Sequence, residues 1–179
     1  MRQGMVLWFT GLSGAGKTTI AHRLAEILKQ QGRTVKILDG DTMRRELHCH
    51  LGFTPEDIRE NNRLVAELCL KNSAGCDYLL VPIISPFRES RASARQRVGK
   101  KFLEIYVKAS LKEVMRRDCK GLYQKALKGE IKNFIGIDPA VPYEEPQRPD
   151  IILDTETQSI DQSVEKVLKE LLKVSIVES

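Results

Sequence analysis

Gly11-Leu-Ser-Gly-Ala-Gly-Lys17-Thr18 follows directly on Val6-Leu-Trp-Phe-Thr10, and the reading of that junction decides the fold. The upstream run is short and continuously apolar, as a strand buried on both faces of a parallel sheet must be. The loop satisfies G-x-x-x-x-G-K-[ST] at every fixed position. Beyond it, residues Lys17 to Gln31 carry Ile20, Leu24, Ile27 and Leu28 on one helical face, and Gly32 supplies a stop. Strand, glycine loop and helix in this order form a cradle for phosphates. Glycines let Gly11, Leu12, Ser13, Gly14, Ala15 and Gly16 wrap an anion with their backbone N–H groups, backed by the positive end of the helix. Lys17 adds charge at the β- and γ-phosphates of ATP, and the Thr18 hydroxyl is placed to ligate Mg²⁺.

The pattern repeats outward. Thr34–Asp39 reads as a second strand, Tyr78–Ile84 as a third, with Phe102–Val107 and Asp150–Asp154 completing the set. Pro82 removes a ladder donor and predicts an edge strand or a bulge for its segment. Thr54-Pro55-Glu56-Asp57 opens a helix with a cap, a proline and two acids, and Leu64, Leu68 and Cys69 are its expected inward residues. Helices are also predicted over Leu111–Asp118 and Ile160–Leu172. This alternation predicts an α/β protein with a central parallel sheet between helical layers.

The chain of 179 residues, with 41% apolar and 30% charged residues and a net charge of +5, reads as one soluble domain over residues 1–179 with an affinity for anions. No apolar run approaches the roughly 20 residues of a membrane helix. The first strand begins too early to leave room for a secretory leader. Cys49, Cys69, Cys76 and Cys119 form no C-x-x-C pair, which suits a reducing compartment; cytoplasmic residence is the expectation. His48-Cys49-His50 could offer metal ligands, but nothing nearby completes a set, and a turn or helix end is the simpler reading.

Three features favour a small-molecule kinase among proteins with such a loop. The domain is small, and no N-K-x-D segment reads guanine. Arg116, Arg117, Lys120, Lys125, Lys128 and Lys132 face only Asp118 and Glu130, and Gly129–Pro149 is long and irregular. A basic lid over about 116–149 that closes on phosphates and excludes water is what transfer to an alcohol requires. The predicted architecture is thus a three-layer P-loop nucleoside-triphosphate kinase fold.

A second site is written in Leu38-Asp39-Gly40-Asp41-Thr42-Met43-Arg44, at the sheet edge that carries the loop. One carboxylate, Asp39, can organise the metal together with Thr18. Asp41 can accept the proton of an attacking hydroxyl, and Arg44 can hold an anionic acceptor. Both acids could instead cap the helix that follows.

With these residues in view, the chain resembles the adenylylsulfate kinase family from about Val6 to Thr155. The resemblance rests on the P-loop, Leu38-Asp-Gly-Asp41 with Arg44, Leu51-Gly-Phe53, Ile84-Ser-Pro-Phe87 and Arg91. Its most specific part is Lys120-Gly-Leu-Tyr-Gln-Lys-Ala, then Gly129-Glu-Ile-Lys-Asn-Phe134-Ile-Gly-Ile-Asp138 and Pro142-Tyr-Glu. It implies transfer of the ATP γ-phosphoryl group to the 3′-hydroxyl of adenosine 5′-phosphosulfate, with catalysis by Lys17, Asp41 and Ser85. It also implies a homodimer, and an acceptor site of Asp41, Arg44, Phe53, Asn61, Ile84, Ser85, Lys120 and Phe134, with Arg59 and Ile135 beside them. Phe53 and Phe134 offer faces for adenine, although each would ordinarily be read as a core aromatic. For Ser85 the family implies either a phosphoserine or a substrate contact. In-line transfer between two bound nucleotides needs no covalent step, so contact is the preferred reading.

The chain departs from the family pattern in several places. Asp57-Ile58-Arg59 stands where Asp-Arg is usual, so a cation is shifted about 100° around the helix. Ile135 replaces a threonine, Phe87 a tyrosine, and two extra residues precede Pro142. A sister kinase with another nucleotide-type acceptor is therefore the alternative. A nucleic-acid protein using Arg88–Arg97 is a third reading, but that run lacks aromatics and its spacing suits a solvated helix face better.

Overall fold

Among the described residues, 3–177 of the computed structural model, five strands lie parallel in one sheet. They are β1 (Met5–Thr10), β2 (Val35–Ile37), β3 (Tyr78–Pro82), β4 (Phe102–Lys108) and β5 (Ile151–Asp154), in the order β2-β3-β1-β4-β5. The helices are α1 (Lys17–Gln30), α2 (Gly40–Glu46), α3 (Pro55–Asn72), α4 (Arg88–Val98), α5 (Leu111–Arg117), α6 (Leu122–Leu127) and α7 (Ile160–Val177). Period-two alternation in the fully buried β1 builds two cores. Met5, Leu7 and Phe9 meet Ile20, Leu24 and Leu28 of α1 and Val164, Val167 and Leu171 of α7. Val6 and Trp8 meet Val65 and Cys69 of α3 and Ala94 and Val98 of α4 on the other face. The result is the three-layer α/β arrangement with a parallel sheet that the sequence predicts. Because all strands run one way, the loops after β1, β2 and β3 leave the sheet at one edge, where ligands of such sheets bind.

Pro82 does not mark an edge: β3 lies between β2 and β1. The Leu80 carbonyl accepts from the Leu38 N–H, so residue 82, two further on, faces the same neighbour. Pairing of β2 ends at Ile37 opposite Leu80, and the proline nitrogen points past its end. The missing donor therefore falls beyond the paired residues of β2.

Thr54 and Asp57 form a reciprocal capping box at the start of α3. The buried face of that helix is Ile58, Asn61, Asn62, Val65, Ala66 and Cys69. Leu64 and Leu68 are only half-buried flanks, and the stripe is rotated because it must serve both the core and the cleft described below.

The run Arg88–Arg97 is helical with a solvated face, formed by Arg88, Glu89, Ala92, Ser93, Gln96 and Arg97, but its other face is buried. Arg91 is buried; it donates to Glu104 at 2.7 Å, to the carbonyls of Ser85 and Pro86 at 2.7 and 3.0 Å, and to that of Glu144 at 2.6 Å. Arg95 pairs with Asp150 at 2.6 Å, and Arg88 donates to the Glu145 carbonyl. Ser90, Arg91, Ala94 and Val98 recur at helical spacing as the inward stripe. These arginines are structural, which removes the basis of the nucleic-acid reading.

The long segment before β5 is also more anchored than a lid should be. Ile135 and Val141 are buried with Ile58 and Phe87, and the Tyr143 hydroxyl meets Thr10 Oγ1 at 3.0 Å. The C-terminal part of the segment is stitched to the body.

Candidate active site

The P-loop closes around its own lysine. Gly11 has φ of 149°, and a Cβ there would collide with the Val107 carbonyl of β4, so only glycine lets the loop leave the sheet so close to its neighbour strand. Gly16, at φ 102°, precedes α1, whose first turn has neither a side-chain cap nor an acid. The positive end of α1 is thus left open to an anion. Lys17 is buried, and its Nζ donates to the carbonyls of Gly11 at 2.8 Å and Leu12 at 2.7 Å. Burial pushes its pKa down to about 7, with Asp41 working the other way. Phosphate oxygens in the cradle would offer the charge that these carbonyls cannot.

Asp39 and Asp41 divide their roles. Asp39 caps α2: its Oδ1 accepts from the N–H groups of Asp41 and Thr42, both at 3.1 Å. Its Oδ2 accepts from the Thr18 hydroxyl at 3.3 Å. Asp41 caps nothing, is well exposed, and meets Lys120 Nζ at 2.6 Å from across the cleft. Among the described residues no three His, Cys, Asp or Glu side chains form a metal cage. A hydroxyl beside one carboxylate, at the foot of the phosphate loop, fits Mg²⁺ that is shared with a nucleotide's phosphates.

One cleft of about 290 Å³ joins these parts to the second half of the site. Ser13, Gly14, Gly16, Lys17 and Thr18 line one end, and Asp39, Asp41 and Lys120 the middle. Arg44, Phe53, Asn61, Ile84, Ser85 and Ile135 line the other end. Arg44 lies over the Phe53 ring, 4.4 Å from its centre, and donates to the carbonyls of Leu51 and Gly52. Burial lowers its pKa, and Asp57 and Asp41 oppose that. Phe53 is 49% exposed even with Arg44 over one face of its ring, so it is not a core aromatic. His48 is buried with its Nδ1 2.9 Å from Asn61 Oδ1, so the one buried residue of His48-Cys49-His50 orients a cleft residue.

Ser85 is buried with φ of 45° and a hydroxyl that has no partner. Such a conformation costs on the order of 1–3 kcal/mol for a residue other than glycine. Arg91, whose guanidinium holds the Ser85 and Pro86 carbonyls, and Thr10, whose hydroxyl donates to the Ile84 carbonyl at 2.7 Å, fix the turn.

Two expected residues fall elsewhere. Arg59 projects from α3 away from the cleft, pairs with Glu89 at 2.5 Å and lies 4.7 Å from the centre of the Phe87 ring; the 100° shift relative to Ile58 puts it on the outer face. Phe134 is half-buried and edge-on to Tyr123, ring centres 4.9 Å apart, outside the lining. Gly11, Leu12 and Ala15 are buried positions of the loop and are not among the residues that line the cleft. The sequence reading missed Tyr123, whose hydroxyl donates to the Ser13 carbonyl at 2.9 Å and seats α6 on the P-loop, and Asn62, a cleft residue beside Asn61. The signal for both was a polar side chain at an inward helical position.

Comparison with known proteins agrees with this geometry. The family model described as adenylylsulphate kinase matches residues 3–154. An adenylyl-sulfate kinase of Picosynechococcus sp. is 48% identical over 178 residues, covering 98% of this chain and 97% of its own. The APS kinase CysC of Mycobacterium tuberculosis, solved in complex with AMPPNP and APS, superposes with a TM-score of 0.88 at 40% identity, covering 96% of this chain and 99% of that one. A hexameric APS kinase from Thiobacillus denitrificans gives 0.69 at 31% identity, over 96% of this chain and 29% of its own.

Proposed function

The chain belongs to the adenylylsulfate kinase family, and from that premise we propose that it transfers the γ-phosphoryl group of ATP to the 3′-hydroxyl of adenosine 5′-phosphosulfate, giving 3′-phosphoadenosine 5′-phosphosulfate. The observation that carries this is the continuity of one cleft from the P-loop, past Asp41, to Arg44, Phe53 and Ser85. The sister-kinase alternative is not favoured, because the relatives that match nearly the whole chain are adenylyl-sulfate kinases.

In this reading Ser13–Lys17 hold the triphosphate of ATP, and Arg44 with Lys120 holds the phosphosulfate. Phe53 stacks on the acceptor's adenine, while Asn61, Ile84, Ser85 and Ile135 shape its pocket. The acceptor oxygen attacks the γ-phosphorus, the bond to the β–γ bridging oxygen breaks, and ADP leaves. Asp41 takes the hydroxyl proton. Lys17 follows the charge that develops on the transferring group. Thr18 and Asp39 would hold Mg²⁺, which supplies further neutralisation of the phosphates when bound. The unpartnered Ser85 hydroxyl serves as a substrate contact.

The same proposal takes residues 1–179 as a single domain. Of the basic lid over about 116–149, the part that moves is the turn carrying Lys120, since Tyr123 seats α6 on the P-loop and the part from Ile135 to Tyr143 is anchored. It takes the protein to be a homodimer, although the Thiobacillus denitrificans relative is a hexamer, and to act in the cytoplasm; no described helix is long and apolar enough to cross a membrane. The test is a coupled ADP-release assay with adenosine 5′-phosphosulfate, other nucleotides and water alone as acceptors. Turnover confined to adenosine 5′-phosphosulfate supports the assignment, and none with it ends it.

A further inference from the structure

Asn62 holds a buried acceptor with nothing to accept. The residue is 2% exposed, and its Nδ2 donates to the Ile58 carbonyl one turn back at 2.7 Å. Its Oδ1 has no hydrogen-bond partner. The amide cannot be turned over to cure this, because its oxygen would then face the Ile58 carbonyl oxygen. Its neighbour Asn61 is already engaged with His48 through Oδ1, so of the two adjacent amides only Asn62 keeps an unmet acceptor. The residue lines the cleft together with Arg44, Phe53, Ile58 and Asn61 from α2, α3 and the turn between them, at the end away from the P-loop. An unmet buried acceptor destabilises the free protein, and where one lines a ligand cleft, a donor on the ligand is the natural complement.

We propose that Asn62 is a specificity-determining residue whose Oδ1 accepts a hydrogen bond from the nucleoside part of the acceptor. This rests on the functional reading above and adds a contact to it. The chemistry narrows the donor. Phosphate and sulfate oxygens at neutral pH only accept, so Oδ1 would repel rather than bind the phosphosulfate. The 3′-hydroxyl gives its proton to Asp41. What is left on adenosine 5′-phosphosulfate is an N–H of the 6-amino group or the O–H of the 2′-hydroxyl. The two differ in source but present the same donor to the same oxygen.

The experiment measures binding of adenosine 5′-phosphosulfate, its 2′-deoxy analogue and the inosine analogue to the ADP complex of the unmodified protein and of Asn62→Leu. Leucine has nearly the same volume and no polar atoms. The expected result has two parts. Asn62→Leu melts at the same or a higher temperature, because a buried unmet acceptor is gone, yet binds adenosine 5′-phosphosulfate roughly tenfold more weakly with ADP affinity unchanged. The unmodified protein discriminates by a similar factor against one of the two analogues, and Asn62→Leu loses that discrimination. A merely structural role would lower the melting temperature and leave the discrimination in place. Equal binding by Asn62→Leu, or a loss that falls on ADP instead, overturns the proposal. Should the variant fail to fold, lack of discrimination against both analogues by the unmodified protein overturns it as well. Failure of the unmodified protein to bind adenosine 5′-phosphosulfate at all is the separate failure of the functional reading.

Discussion

Lys120 Nζ and Asp41 Oδ2 meet at 2.6 Å across the mouth of the cleft, tying the turn between α5 and α6 to the first turn of α2. The hydrogen bond from Lys120 to Asp41 raises the lysine's pKa. Both side chains are largely exposed, and such pairs are worth at most about 1 kcal/mol. The contact therefore holds the lid lightly and gives way to substrate at little cost, which leaves the Asp41 carboxylate available to a hydroxyl proton.

Asp41→Asn keeps the size of the side chain but cannot take that proton. Turnover should fall by about 10²–10⁴-fold, while nucleotide affinity and melting temperature stay close to those of the unmodified protein, because Asp41 caps nothing. Single-turnover kinetics beside a thermal melt separate the two effects. Unchanged turnover would remove Asp41 from its role as base.

Asp39→Ala should show the opposite balance. It removes both cap bonds of α2, for a loss of about 0.5–2 kcal/mol in urea unfolding. It also removes the carboxylate beside Thr18, so the Mg²⁺ concentration for half-maximal activity should rise. In the unmodified protein, excess chelator should stop the reaction. A stability loss with an unaltered Mg²⁺ requirement would leave Asp39 a cap alone.

Lys17 gives a pH signature. Its pKa is near 7 in the free protein against an ordinary 10.5, so between these values the unfolded chain binds more protons and this residue's contribution to stability rises with pH. The cost of charging it is felt in full below about pH 7. The stability advantage of Lys17→Met over the unmodified protein should thus shrink as pH rises from 7 toward 10.5. Phosphates in the cradle restore the proton. Nucleotide binding at about pH 8 should therefore take up close to one proton, and almost none at pH 6, seen as a buffer-dependent heat in calorimetry. Lys17→Met should take up none and transfer no phosphate.

How much of this was legible in the sequence depends on what each residue answers to. The P-loop and the five strands were readable because local pattern and burial agree there: Val6–Phe9 is apolar throughout and buried throughout. The division between Asp39 and Asp41 was not readable, since both suit a cap and only the backbone decides which one reaches the N–H groups. Arg91 looked like a surface charge because its partners, Glu104 and three carbonyls, lie far along the chain or in a turn whose shape the sequence does not announce. Arg59 was misplaced for a simpler reason. Family likeness suggested a cation near position 58, but helical geometry carries residue 59 to the outer face.

That last point yields a contrast between two arginines. Arg44 sits in the cleft, half-buried on the Phe53 ring, and a charged hydrogen bond from it to the acceptor is worth about 1.5–3 kcal/mol. Arg44→Ala should raise the KM for adenosine 5′-phosphosulfate by roughly one to two decades with little change in the KM for ATP. Arg59 is engaged with Glu89 and Phe87 outside the cleft, so Arg59→Ala should leave both constants unaltered. Ile58 is 1% exposed in a cluster with Phe87, Ile135 and Val141. Ile58→Arg would place a guanidinium among apolar side chains, and a lower melting temperature of the free protein is expected. Steady-state kinetics on the three variants test the arrangement together. A raised acceptor KM in Arg59→Ala, with none in Arg44→Ala, would mean that the acceptor's anionic group binds on the outer face of α3 and not in the cleft.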